Sequence, residues 1–217
     1  MLEAARRLFA ERGYAETTIE AIAAQAGVAV PTVYAAFQSK RGVLSALMRR
    51  LVSGEEGGPP LLRTAGPQAV LAESNPRRAL ALFADHLTQV QERAMPTYEA
   101  MKSAARSEPG VAELLARMQA YRFSNIATIP ARLAELGALR PGLSEDDASR
   151  TVWALASPEV RQMLQTFAGW SADRYRAWLV ETLGALLLSP SVGASAGARG
   201  QARSPPRRIR SHSATDR

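Results

Sequence analysis

At 217 residues, with 47% hydrophobic and 22% charged side chains, the chain has the composition of a globular protein: one large domain, or a small one beside a medium one. It has no cysteine and two histidines, His86 and His212, which excludes a disulfide framework, a thiolate zinc site and a histidine metal cluster. The net charge of +7 sits mostly in residues 199–217, where six arginines face a single Asp216, so the basic balance is weak evidence for nucleic acid by itself.

In chain order, Leu2, Ala5, Leu8 and Phe9 follow helical spacing over 2–12, and Gly13 ends that helix. Thr17 with Glu20 fits a capping box and opens a second helix, with Ile19, Ile22 and Ala23 inward and Gly27 closing it. A third runs from about Ala29 to Phe37, with Pro31 tolerated in its first turn. Ser39 caps a fourth, through Leu44, Leu47, Met48 and Leu51 to about Ser53. GEEGGPP, from Gly54 to Pro60, breaks the pattern, and residues 61–74 read as irregular.

Asn75–Pro76 starts a long helix to about Ala94, Met95–Pro96 another to about Ser107, and Glu108–Pro109 a third to about Leu136, ended by Gly137. Ser144 caps a helix whose first turn holds Glu145, Asp146 and Asp147, which complement the positive end of its dipole. Ser157–Pro158 and Ser171 start the last two helices, to about Phe167 and Leu188. No period-2 alternation occurs, so the predicted fold is all-α. The predicted organisation is a small helical unit over 1–52, a larger helical unit over 61–189, and a disordered Arg-rich tail over 190–217. No apolar run approaches the roughly 20 residues that span a bilayer, and no secretory pattern opens the sequence, so the expected location is cytoplasmic with no membrane partner.

The stretch from Thr17 to Lys40 reads as two short helices around a glycine turn, a helix-turn-helix whose second helix enters the DNA major groove. Val33 and Phe37 face inward. Val30, Pro31, Thr32, Tyr34 and Ala35 form an outward face, small enough to lie close to base edges, where methyl groups meet thymine and Thr32 bonds a base or phosphate. Thr17 and Thr18 at one helix start, and Lys40 at another, are the expected phosphate anchors.

The run FAERGYAETTIEAIAAQAGVAVPTVYAAFQSKRGVLSALM resembles the DNA-binding domain of the TetR family of bacterial transcriptional repressors, over residues 2–52. The resemblance rests on Leu8–Phe9, Gly13–Tyr14, Thr17–Thr18, Ile22–Ala23, Ala26–Gly27–Val28, Thr32, Tyr34, Phe37, Ser39–Lys40 and Leu44. It implies an N-terminal three-helix helix-turn-helix domain joined to a larger ligand-binding and dimerisation domain. It also implies a homodimer on a palindromic double-stranded DNA operator, released by a small-molecule effector. Three positions depart from the pattern. Ala29 stands where a capping Ser or Thr is usual, and Ala36 where Tyr or His often contacts phosphate. The chain also starts at Met1, inside the first helix, where members have a short basic arm ahead of it.

In the second unit the candidate cavity lining is Phe83, His86, Leu87, Tyr98, Met101, Tyr121, Phe123 and Trp153. The helices at 144–156 and 171–188 carry more apolar surface than one side needs, which nominates Trp153, Leu155, Trp178, Leu179, Leu183 and Leu186 for a dimer interface. No nucleophile-base set, glycine-rich phosphate loop or metal spacing points to an enzyme, and no cofactor is expected. The alternative to a regulator is a helical protein-interaction module with weakened DNA binding.

Overall fold

Helix caps set most of the boundaries in the computed structural model, which describes residues 1–54 and 60–190. The described helices are α1 (Leu2–Glu16), α2 (Ile19–Ala26), α3 (Val30–Phe37), α4 (Lys40–Ser53), α5 (Ala65–Ala72), α6 (Pro76–Ala104), α7 (Pro109–Ile126), α8 (Thr128–Glu135), α9 (Glu145–Leu155), α10 (Pro158–Thr166) and α11 (Ala172–Leu187). A 3-10 turn covers Leu61–Arg63, and a single antiparallel bridge joins Leu139 to Leu188. The chain is all-α, with an N-terminal helix-turn-helix portion and a larger helical remainder. Side-chain oxygens of Thr18, Ser39, Asn75, Ser144, Ser157 and Ser171 each accept the amide three residues on, satisfying an otherwise orphan donor.

Two hydrophobic cores form. The first takes Leu8, Phe9, Ile22, Val33, Leu44 and Leu47 from α1–α4, and is closed by Tyr98, Met101 and Ala104 of α6 with Val111 and Leu114 of α7. The second gathers Leu80 and Phe83 of α6, Leu133 of α8, Val152 of α9, and Tyr175, Leu179, Leu183 and Leu187 of α11. α6 belongs to both. At 29 residues it is a rod about 43 Å long that ties the two cores together.

Several boundaries differ from the sequence expectation. α6 runs through Met95–Pro96 without ending, although proline removes one backbone bond and crowds the carbonyl four residues back. Packing prevails there: Ala94 and Tyr98, on either side of the proline, are both held in the first core. The segment expected as one helix over 109–136 is broken at Ala127 into α7 and α8. Pro130 accounts for the break, since it has no amide to donate to the carbonyl of Ile126, the last residue of α7, and its ring disfavours a continuous helix there. Residues 65–72, expected to be irregular, form α5, with Pro67 and Val70 buried. Gly13 (φ 75°, ψ 177°) interrupts α1 as expected, but the chain re-enters one further turn to Glu16. The second helix is capped by Thr18 rather than Thr17. The pattern break around 55–59 and the Arg-rich tail from 191 onward lie outside the described residues.

Candidate nucleic-acid interface and ligand cavity

α2 and α3 are bent by 109° about a turn in which Gly27 takes the left-handed conformation at φ 66°, where a side chain would be strained. The amides of Gly27 and Val28 return to the carbonyls of Ala24 and Ala23 at 3.2 and 3.0 Å, so the turn spends its own polar groups and fixes the angle. Val33 is fully buried, which turns the opposite side of α3 outward: Pro31, Thr32, Tyr34 and Ala35 are all exposed. Tyr34, 46% exposed, is the one large side chain on that face. Val30, expected to share it, is half-buried against the first core. Ala29 makes no side-chain cap bond, leaving the α3 N-terminus to its backbone.

Two expected phosphate anchors are used inside the protein instead. Thr17 is fully buried and its hydroxyl donates to the Gly13 carbonyl at 2.7 Å. It locks the kink after Gly13 and has no group free for DNA. The Lys40 ammonium donates to the carbonyls of Tyr14 and Ala15 at 2.9 and 3.3 Å and lies 4.3 Å from the centre of the Tyr14 ring. It latches the start of α4 onto the end of α1, where the last carbonyls have no amide four residues on to bond and the helix dipole is negative. Burial pushes the Tyr14 hydroxyl up to about 12, with Glu108 adding to it and Arg41 opposing. Thr18 remains outward. Its oxygen accepts from Ala21 at 3.1 Å, which leaves its O–H to donate. Arg41, beside Lys40, is exposed and makes no ion pair with any described residue. Sequence reading passed over it because residue type alone does not tell a latch from a free cation.

Between the two cores lies a cavity of about 160 Å³. α6 supplies one wall, with Phe83, His86, Leu87, Val90, Ala94 and Tyr98 on a single helical face. α7 and α8 supply another with Met118, Tyr121, Arg122, Ile126 and Ile129. Leu61, Leu62, Pro67 and Val70 close a third side, and Met48 and Val52 of α4 close the fourth. Phe83, His86, Leu87, Tyr98 and Tyr121 line it as expected. Met101, Phe123 and Trp153 do not. Met101 is fully buried one turn beyond Tyr98 in the first core, and Phe123 and Trp153 pack edge-to-face on each other at 6.3 Å. Sequence reading missed Met48 and Val52, whose helix looked like part of the front unit alone. It also missed the 61–70 wall, where no periodicity announced a helix.

The polar groups of the cavity cluster on α6 and α7. Tyr98 donates its hydroxyl proton to Glu159 at 2.8 Å and accepts from Gln119 at 2.8 Å. Burial would raise the Glu159 carboxyl, but the Tyr98 hydroxyl, the backbone and Lys102 outweigh it and hold Glu159 below its ordinary value. Burial raises Tyr98, and Glu159 adds to the shift. His86 is held below its ordinary 6.5, first by burial and then by Arg93, so it is neutral at pH 7. Its Nδ1 abuts α5, where a Cβ on Gly66 would lie 2.2 Å away, so only glycine allows that approach. His86 Nε2 and Gln91 Oε1 are buried without a hydrogen-bond partner. Arg93 itself donates to the carbonyls of Leu51 and Val52, the last turn of α4, at 2.7 and 3.4 Å.

The expected dimer residues divide. Leu179 and Leu183 are fully buried in the second core and offer nothing to a partner. Trp153 and Leu155 are half-buried against the same core, and Trp178 is half-buried between Trp170 and Tyr175. Leu186 stays outward at 42% exposure. The larger exposed apolar side chains were not expected: Met163 at 52% and Phe167 at 85%, on and just after α10.

Residues 1–47 match the family model for bacterial regulatory proteins of the tetR family. No curated protein matches the chain. Among solved structures the chain is similar to SmeT, the repressor of the Stenotrophomonas maltophilia multidrug efflux pump SmeDEF, at TM-score 0.65 and 23% identity over 95% of each chain. SmeT is also solved as a triclosan complex. NalD, the secondary repressor of the MexAB-OprM multidrug efflux pump of Pseudomonas aeruginosa, is similar at TM-score 0.65 and 24% identity, over 86% of this chain and 94% of that one. FadR of Bacillus subtilis, solved with stearoyl-CoA, is similar at TM-score 0.64 and 17% identity, over 84% and 95%. At these identities the structural likeness establishes the fold.

Proposed function

We propose that the chain is a DNA-binding transcriptional regulator of the TetR type, a repressor which leaves a palindromic operator when a small apolar molecule fills the cavity between its two cores. The observation that carries this reading is the position of Met48 and Val52. They line the cavity and stand on α4, the helix whose Lys40 end is latched to the head and whose Val43, Leu44 and Leu47 pack into the head core. A guest that displaces Met48 and Val52 moves α4, and α4 carries the recognition helix with it.

The operator contacts we assign are Thr32, Tyr34, Pro31 and Ala35 on α3 for base edges, with Thr18 and Arg41 for phosphates. A homodimer supported by Leu186, Met163, Phe167 and the half-exposed Trp178 presents two recognition helices. Half-sites then lie about one DNA turn apart, roughly 34–36 Å, or a multiple of that. Release is a population shift. The ligand favours a head orientation that misfits the half-site spacing, and DNA affinity falls by the ratio of its affinities for the two states.

The test has two stages. Selection from random duplex DNA, followed by gel shift across a salt series, is expected to return an inverted repeat bound with a steep salt dependence. Triclosan and stearoyl-CoA, the ligands of two structural neighbours, are then titrated against that complex together with simple apolar probes. Enrichment of no sequence, or binding of a probe that leaves DNA affinity unchanged, rejects the reading.

A further inference from the structure

Arginine is the residue that a protein must account for when it is buried, because it does not lose its charge. Among the described arginines set into the interior, Arg161 and Arg93 have evident partners. Arg161, 3% exposed, is paired with Glu92 at 3.3 Å and donates to the Thr88 carbonyl. Arg93 sits on the carbonyls that end α4. Arg122 is different. It lines the cavity from α7, stacks over Trp153 with its guanidinium carbon 5.2 Å from the ring centre, and donates to the Trp153 carbonyl and to Gln119. No carboxylate of a described residue lies within 4 Å of it. The acid nearest along that wall, Glu159, already takes the Tyr98 hydroxyl and Lys102 at 2.8 and 3.4 Å.

Among the described residues lining the cavity, Arg122 is also the one formal charge, since His86 is neutral at pH 7 and the remaining polar groups are amides and hydroxyls. Burial pushes the Arg122 guanidinium below its ordinary value, and the more distant charge of Glu159 opposes that shift without cancelling it. An apolar chamber with one stacked guanidinium at its wall, bonded to a carbonyl and an amide but to no carboxylate, is complementary to an apolar molecule with one negative end.

Resting on the reading of the cavity as the effector site, we infer that the effector is an amphipathic organic anion, such as a medium-chain carboxylate. Its acid group is held by Arg122, and its hydrocarbon body lies against Phe83, Val90, Ile126 and Met48. A neutral molecule of the same body gains only the apolar contacts. A cationic one meets repulsion at Arg122, and the Trp153 face beside it is already covered by the guanidinium.

The test uses three probes of one chain length, octanoate, octanol and octyltrimethylammonium, titrated by calorimetry into the full chain below their aggregation limits. Octanoate is expected to bind about tenfold to a hundredfold more tightly than octanol, the range of a charge-assisted hydrogen bond, and the ammonium probe most weakly. Arg122→Gln is expected to erase the octanoate advantage while keeping octanol affinity, which also shows the variant is folded. Arg122→Lys is expected to keep a preference for the anion. Equal binding of octanoate and octanol, a preference for the cation, or an unchanged ratio in Arg122→Gln overturns the inference and leaves the cavity reading standing. Binding of none of the three overturns both.

Discussion

The first core of this chain and the cavity behind it solve opposite problems. Around α1–α4 the interior is filled: Leu8, Phe9, Ile22, Val33, Leu44 and Leu47 are all essentially solvent-free, and the head's polar ends are tied down by Thr17, Thr18, Ser39 and Lys40. Where α6, α7 and α5 meet, the interior is left unfilled, with Gln91 Oε1 and His86 Nε2 unpartnered. A recognition helix that reads base edges needs one orientation, so its support is packed to closure. A sensing site needs room and unmet bonds for a guest to supply, at the expense of local stability. The shared helix α6 and the cavity-facing end of α4 allow a change in the loose region to reach the rigid one.

The sharpest way to break this contrast is to make the rigid region loose. Ile22→Ala empties a fully buried position in the head and is expected to cost about 2–5 kcal/mol, as large-to-small core changes do. Urea unfolding followed by fluorescence measures the loss, and operator binding should fall in parallel. A cost below about 1 kcal/mol means that the head relaxes around the void and is not packed to closure.

The latch comes next. Lys40→Met removes two charge-assisted bonds to the Tyr14 and Ala15 carbonyls and is expected to destabilise by about 1–2 kcal/mol, discounted for partial exposure. A latch and a phosphate anchor differ in their salt signature. If Lys40 holds the head together, operator affinity falls while the slope of log K against log salt is unchanged. If it contacts a phosphate, the slope itself decreases by about one.

The same contrast explains what could be read from the sequence. Signals that act within four residues were legible: the caps at Ser39, Asn75, Ser144, Ser157 and Ser171, the Gly27 turn, and the inward set Ile22 and Val33. The head, built from such signals, was therefore largely visible. Thr17 and Lys40 have partners inside the protein that residue type does not reveal, in the case of Lys40 a carbonyl 26 positions away. The cavity depends on tertiary competition. Packing carries α6 past Pro96, Pro130 breaks what periodicity alone joins, and α5 gains its place by sitting on α6 beside His86. Half of the wall was invisible because no local pattern records an unfilled volume.

Filling that volume is the complementary test. Val90→Phe places a ring in the cavity from α6 and is expected to stabilise the chain by about 0.5–2 kcal/mol, the range of cavity-filling changes, while abolishing any response of operator binding to apolar probes. A retained response locates the sensing site elsewhere. Ala29→Ser acts on the other side of the comparison. It supplies the missing side-chain acceptor at the start of α3 and is expected to stabilise by about 1 kcal/mol, with no effect on the probe response. Loss of stability on this change would mean that the backbone at Ala29 already has its partners.

The smallest expected effect separates the two regions by pH alone. α1–α4 contain no histidine, while His86 stands in the cavity wall with its pKa held below the ordinary 6.5 by burial and by Arg93. Above 6.5 the folded and unfolded chains both keep this imidazole neutral, and its contribution to stability is fully present. As pH falls below 6.5 the unfolded chain takes up the proton first, so stability declines, and the decline is complete only below the folded pKa. Glu159, also depressed, has the same sign but titrates in the carboxylate range, so a series from pH 7.5 to 5.5 isolates the histidine. In that window the unfolding midpoint of the native chain should drop and that of His86→Gln should stay flatter. Protection against hydrogen exchange should weaken first around the cavity, in α5 and the middle of α6, and last at Ile22 and Val33. If the head amides open first, acid loosens the region that carries no titrating group, and the division between a closed head and an open cavity does not hold.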